Sequence, residues 1–235
     1  MKVVVFDVWG DYGHFRRFFT TTSPLTFPFP PPTALRGLVG AILGIDKDDY
    51  LKVLSHEVCR VGIGLLSEVK KTRMGLNLLD TKDGHWIKKG PRKTPRTQIK
   101  YEFLKEPKYR IYFSHSDEAL LDKLRQSLVR HESFYTPYLG ISECLADFAF
   151  VDLREAKPIQ GKAQINSAFR LSDVSGGFEL HEGLAIMKVR MPLKMAPGRK
   201  VVEVDEVVYE SSGRPISVSL NEAYSLGELG NISFL

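Results

Sequence analysis

A chain of 235 residues, 43% hydrophobic and 26% charged, has the composition of a soluble globular protein and room for one large domain or an ordinary domain with a smaller appendage. Nothing in it reads as disordered overall, and its longest internal apolar stretch, Leu38 to Ile45, is far too short to cross a bilayer. The formal charge of +5 points to an anionic partner only through its distribution, since many basic proteins bind none.

Val3 to Val8 is a β-branched run that reads as a buried strand. Met1-Lys2 leads only into this short run, broken by Asp7, so no secretory segment is expected and the protein is expected in the cytoplasm. A Gly-broken loop mixing aromatic and basic residues follows, Trp9 to Phe18, and then Phe27-Pro28-Phe29-Pro30-Pro31-Pro32, a rigid connector in which no helix forms. Thr33 offers an N-cap, and Leu35, Leu38, Val39, Ile42 and Leu43 recur at the spacing of one helical face, with Gly44 as the stop. Gly37 and Gly40 leave one side of that helix bare, for close packing against a sheet or for approach of a ligand or partner.

Val58 to Leu66 reads as a second strand. Ile99, Tyr101 and Phe103 alternate with polar residues in another, and Tyr109, Ile111 and Phe113 do so in the next. Ser116 is placed to cap a helix with a Leu120/Leu121, Leu124 and Leu128 face and Arg130 and His131 at its C-terminal end. Phe148 to Leu153 is a further strand. The order strand, helix, strand, long insertion, strand, helix, strand is the βαββαβ pattern of a ferredoxin-like fold, also the skeleton of RNA-recognition (RRM-like) domains. The expected class is α+β: a ferredoxin-like domain over residues 1–156, with an insertion at about 68–105, and a smaller β-rich region over 157–235. In that region 184–191, 200–209 and 215–220 read as strands.

Charge is concentrated in the insertion. Between Lys70 and Arg110 stand thirteen Lys/Arg against four acids, a local excess of +9, so the rest of the chain carries about −4. Lys70, Lys71, Arg73, Lys88, Lys89, Arg92, Lys93 and Arg96 interleave with Met74, Trp86 and the turn formers Gly84, Gly90 and Pro91. Cations attract phosphates and apolar or flat surfaces receive unstacked bases, so the mixture suits single-stranded RNA, although a charge run is more often a solvated loop. Arg16 and Arg17 beside Phe15 form a second candidate: an arginine forks to a phosphate while the ring packs on a base or the core. Arg36, expected to be exposed opposite the apolar helix face, is a third.

The stretch from Val5 to Gly44 also carries a resemblance. Gly13-His14-Phe15-Arg16, then the proline run, then Thr33-Ala34-Leu35-Arg36-Gly37-Leu38-Val39-Gly40-Ala41-Ile42-Leu43-Gly44 resembles the N-terminus of the CRISPR-associated protein five family (Cas-five) of the RAMP superfamily. Tyr135 to Cys144 is similar to the Pro-x-x-Leu-Gly-x-Ser-x-Cys turn after the family's second helix. The resemblance implies a subunit of a type I Cascade complex that caps a filament of backbone subunits, grips the 5′ handle of CRISPR RNA and docks the large subunit inspecting target DNA. It also implies a thumb hairpin between the second and third strands, where the basic insertion lies. The glycine-rich loop of many RAMP proteins has no clear counterpart, Gly176-Gly177 and Gly227 to Gly230 being only vague candidates.

Catalysis finds less support. Some family members cleave precursor RNA without metal, which requires an acid or base near the 2′-hydroxyl and a cation for the developing charge. Of the six histidines, none pairs at ligand spacing, and His14, with Tyr12 near, is the best cleavage candidate. Cys59 and Cys144 lack zinc or disulfide spacing and read as buried thiols. The sequence therefore reads as an RNA-binding assembly subunit without cofactor, metal or membrane partner, in which cations neutralise handle phosphates and Met74, Trp86 or their neighbours wedge between bases. The competing readings are a metal-independent endoribonuclease and an adaptor whose basic segment meets an acidic protein patch.

Overall fold

The computed structural model describes residues 1–20, 23–79, 96–179 and 181–235, with the backbone alone at Arg199. Strand β1 (Lys2–Trp9) contains the Val3–Val8 run, and the short β2 (Tyr12–Gly13) follows. The proline run is non-helical as far as Pro31, bends at Pro28 and Phe29, and buries Phe27 and Phe29 in the core. Helix α1 (Pro32–Leu43) begins two residues before the start that a Thr33 cap would set. Pro32 takes the first helical position, where its missing N–H is no loss, and no side chain caps the end. Gly44 closes the helix in the left-handed conformation.

Next come α2 (Tyr50–Val53), β3 (Cys59–Leu65), β4 (Lys71–Leu79), β5 (Arg96–Lys105), β6 (Lys108–His115), α3 (Glu118–Arg130) and β7 (Asp147–Glu155). The cap of α3 is Asp117 rather than Ser116: its carboxylate accepts from the Ala119 and Leu120 N–H groups at 2.8 and 3.3 Å.

Strands β3, β6, β1 and β7 form one sheet in that order, antiparallel throughout. Val4, Phe6 and Val8 of β1 share a core with Leu35 of α1 and Leu124 of α3. The alternate residues Val3 and Val5 enter a separate cluster with Tyr112, Leu226 and Ile232. Both faces of β1 are therefore buried, which is why its sequence is a continuous apolar run rather than an alternation. The C-terminal chain lies directly on this second face because β3 offers glycine there. A Cβ at Gly62 would stand 2.9 Å from the Ser233 carbonyl oxygen, and one at Gly64 2.8 Å from that of Asn166.

The remainder is strand-rich: β8 (Lys157–Ile159), β9 (Lys162–Ile165), β10 (Phe169–Arg170), β11 (Val174–Phe178), β12 (Ile186–Ala196), β13 (Lys200–Glu210), β14 (Ile216–Leu220), β15 (Ala223–Ser225) and β16 (Asn231–Ile232). The long β12–β13 hairpin sends Val189, Met191, Leu193 and Val207 into the core that α1 shares. Val208, on the opposite face, joins Phe169, Ile216 and Val218 in another. Among the described residues no helix is long and apolar enough to cross a membrane.

Candidate nucleic-acid interface

The basic insertion contains an antiparallel hairpin. Its register runs from Lys71 opposite Leu104 to Leu79 opposite Arg96, and β2 adds to the other edge of β5. Because side chains alternate along a strand and directly opposed residues share a face, the two faces differ in character. One carries Lys71, Arg73, Lys100 and Arg96, all exposed, with Glu102 as the acid among them. The other carries Met74, Leu76, Tyr101 and Phe103, which are buried or packed against the main core. Among the described residues Arg73, Arg96 and Lys100 make no ion pair, so their charge is available to a polyanion.

The segments 14–20 and 23–27 run against each other at the foot of this hairpin. Arg16 and Thr26 form an isolated antiparallel bridge, and Phe27 N–H donates to the Phe15 carbonyl at 2.8 Å. Glu102 ties the loop down: its carboxylate accepts from Lys71 Nζ at 2.9 Å and from Thr26 N–H at 3.2 Å. Burial works against this carboxylate, yet the Lys71 ammonium and the Thr26 amide hold it below the usual glutamate range. At the tip, Phe18 and Phe19 pack edge to face at 5.3 Å and are 53% and 58% exposed. The Arg17 guanidinium lies 5.9 Å from the Phe19 ring centre, and Arg16 is exposed alongside.

The expected site residues thus divide. Arg16, Arg73 and Arg96 are exposed cations. Arg17 is half-buried, its Nε donating to the Thr26 carbonyl at 3.1 Å, so part of its role is to shape the loop. Phe15 packs into the core at 6% exposure, the core alternative of the two open to it. Met74 is half-buried on the face opposite Arg73, which the two-residue period of a strand requires. Arg36 is a correction: it is 5% exposed, not a surface cation, because β12 covers that side of α1 and the Leu193 carbonyl accepts from its Nη1 at 3.0 Å. Trp86, Lys88, Lys89, Arg92 and Lys93 lie outside the described residues.

Three residues of this surface were not singled out from the sequence. Phe18 fell at the end of the aromatic loop and Phe19 just beyond it, and only the fold shows both rings exposed; an adjacent Phe-Phe pair after two arginines was the available signal. Glu102 had no signal, since its partners are 31 and 76 positions away.

His14 is 1% exposed. Its Nδ1 bonds the Glu102 carbonyl oxygen at 2.7 Å and its ring packs on Tyr101 and Phe103 at 5.1 and 5.6 Å. Burial, reinforced by the Arg16 charge, pushes its pKa down. Gly140, with φ of 95°, lies against its backbone, where a Cβ would fall 1.9 Å from the His14 carbonyl oxygen. Among the described residues no cluster of three or more His, Cys, Asp or Glu is placed to hold a metal ion.

With this geometry in place, comparison with known proteins identifies the class. Residues 3–198 match the family described as CRISPR-associated protein (Cas_Cas5), and the chain belongs to that family. Its fold is similar to that of a CRISPR protein from Archaeoglobus fulgidus, with a TM-score of 0.58, 18% identity and 97% of each chain covered. It is also similar to a chain of a structure described as a CRISPR RNA-guided surveillance complex, with a TM-score of 0.55, 12% identity and 91% of each chain covered. No curated protein matches the sequence.

Proposed function

We propose that this chain is a non-catalytic RNA-binding subunit of a type I CRISPR Cascade complex, holding the 5′ handle of CRISPR RNA and capping the backbone filament. The observation that carries this reading is the exposed cation face of the β4–β5 hairpin standing beside the Arg16–Phe18–Phe19 loop. Unpaired cations suit phosphates and exposed rings suit unstacked bases, the pairing that single-stranded RNA calls for. The strand order β7-β1-β6-β3, with α1 and α3 against one face, supports a ferredoxin-like arrangement. In RNA-recognition domains the other sheet face stacks bases. Here the C-terminal chain covers it, which favours contact through the hairpin and loop.

Family membership and the surveillance-complex neighbour support partners that include CRISPR RNA, the backbone and large subunits, and target DNA within the assembly. His14 is 1% exposed and its Nδ1 is taken up by the Glu102 carbonyl, which supports binding without cleavage.

Labelled repeat RNA incubated with the purified chain in EDTA tests the proposal. Intact RNA with a mobility shift, weakened by Arg16→Glu, is expected; specific cleavage would instead support a metal-independent endoribonuclease. The absence of any shift at low salt would remove RNA binding.

A further inference from the structure

We infer that the buried Arg36, with Lys194 and His56, forms a separate oxyanion pocket that takes a phosphate of the bound RNA. The inference rests on the RNA-binding reading above. The Arg36 guanidinium has no carboxylate within 4 Å among the described residues, and its Nε is buried without a hydrogen-bond partner. Glu203 does not neutralise it, because that carboxylate is already shared by Lys194 at 2.5 Å and Arg170 at 3.3 Å. An uncompensated guanidinium away from water is unfavourable unless something brings an anion to it.

A pocket of about 30 Å³ opens beside it, lined by Thr33, Arg36, Ser55, His56 and Lys194 among others. That is room for one water or a single oxygen of a larger group. The uncompensated Arg36, two hydroxyls and the Lys194 ammonium, already paired with Glu203, form a donor-rich set, suited to an oxyanion and unsuited to a cation. The pocket sits at the start of α1, where Pro31 provides no side-chain cap and the helix dipole presents its positive end. Partial burial, then the charges of Lys194 and Arg36, lower the pKa of His56 against the smaller opposing pull of Glu57 and Glu203.

A neighbouring groove favours phosphate over a protein carboxylate. The small pocket shares Thr33, Tyr50 and Met195 with a cavity of about 810 Å³ that extends along α1 to Arg16. Tyr50, Tyr135 and Tyr138 line that groove, with Gly37 leaving it open on the helix side. Flat rings between two cationic ends match a strand of alternating bases and phosphates; a lone carboxylate would use only the small pocket.

Because Arg36 is buried, its own truncation risks the fold, so the test places an anion in cis at exposed His56. For His56→Glu the expected results are a raised melting temperature, five- to tenfold weaker binding of labelled repeat RNA, and a salt slope shallower by about 0.7, the share of one single-strand phosphate. His56→Gln is expected to bind within twofold of the parent. If His56→Glu binds RNA like the parent while Arg16→Glu weakens it, the pocket is overturned and the RNA-binding reading stands. If neither variant weakens binding, both fall. Unaltered RNA affinity with lost assembly onto the other protein subunits would assign the pocket to a protein carboxylate and overturn the phosphate.

Discussion

Lys71 and Glu102 pair at 2.9 Å across the base of the β4–β5 hairpin, and the same carboxylate receives the Thr26 amide at 3.2 Å. The pair thereby joins the two candidate RNA-binding elements, the hairpin and the segments 14–20 and 23–27, into one surface. Glu102 also uses its backbone: its N–H donates to Pro24 at 3.0 Å and its carbonyl accepts from His14.

Replacing Glu102 with Ala leaves the Lys71 ammonium and the Thr26 amide without this acceptor. Hydrogen bonds to charged groups contribute about 1.5–3 kcal/mol, and a loss of that order is expected in urea unfolding. The Glu102 carboxylate is held below its ordinary range, so its contribution is complete above about pH 4.3 and is lost as the pH falls through the lowered folded value. The Glu102→Ala variant is expected to lose less stability over that acid window than the parent.

Phe18 and Phe19 are exposed and pack mainly on each other, so truncation should spare the fold and strike binding. Stacking on an aromatic side chain contributes about 1–3 kcal/mol per base. Phe18→Ala with Phe19→Ala is expected to weaken RNA binding at least tenfold in fluorescence anisotropy while the melting temperature moves little.

The two faces of the hairpin should respond differently. Arg73→Glu with Lys100→Glu reverses two exposed cations and is expected to weaken RNA binding and flatten its salt dependence, by about 0.7 for each phosphate that is no longer neutralised. Leu76→Ala, on the core-packed face, is expected to lower stability while leaving the salt slope as it is.

His14 adds a pH dependence of known sign. Its folded pKa is depressed, so the fold favours the neutral ring. That stability is present above about pH 6.5, where the unfolded ring is also neutral, and is lost as the pH falls through the folded value. Denaturation between pH 7 and 5 should show the parent losing stability, with a flatter profile for His14→Gln.

Much of the main sheet was legible in the sequence, because apolar runs and alternations there reflect burial directly. Val3–Val8, Ile99–Phe103 and Tyr109–Phe113 all lie in strands, and Gly44 ends α1. Helix starts were displaced, by two residues in α1 because Pro32 suits the first helical position, and by one in α3 because Asp117 rather than neighbouring Ser116 supplies the cap. The six-stranded sheet went largely unread, since β8, β15 and β16 are two or three residues long and show no period. Local charge and the family motifs pointed to Arg16, Arg73 and Arg96, which the fold leaves exposed. The burial of Arg36 could not be read locally, because the strand that covers it lies 157 positions further on.

Ultraviolet crosslinking of repeat RNA to the purified chain, with the attachment sites mapped by mass spectrometry, tests the central claim most directly. Adducts at Phe18 or Phe19 and along the Arg73–Lys100 face are predicted. Adducts confined to the six-stranded C-terminal sheet, with none on the loop or the hairpin, would contradict the assignment.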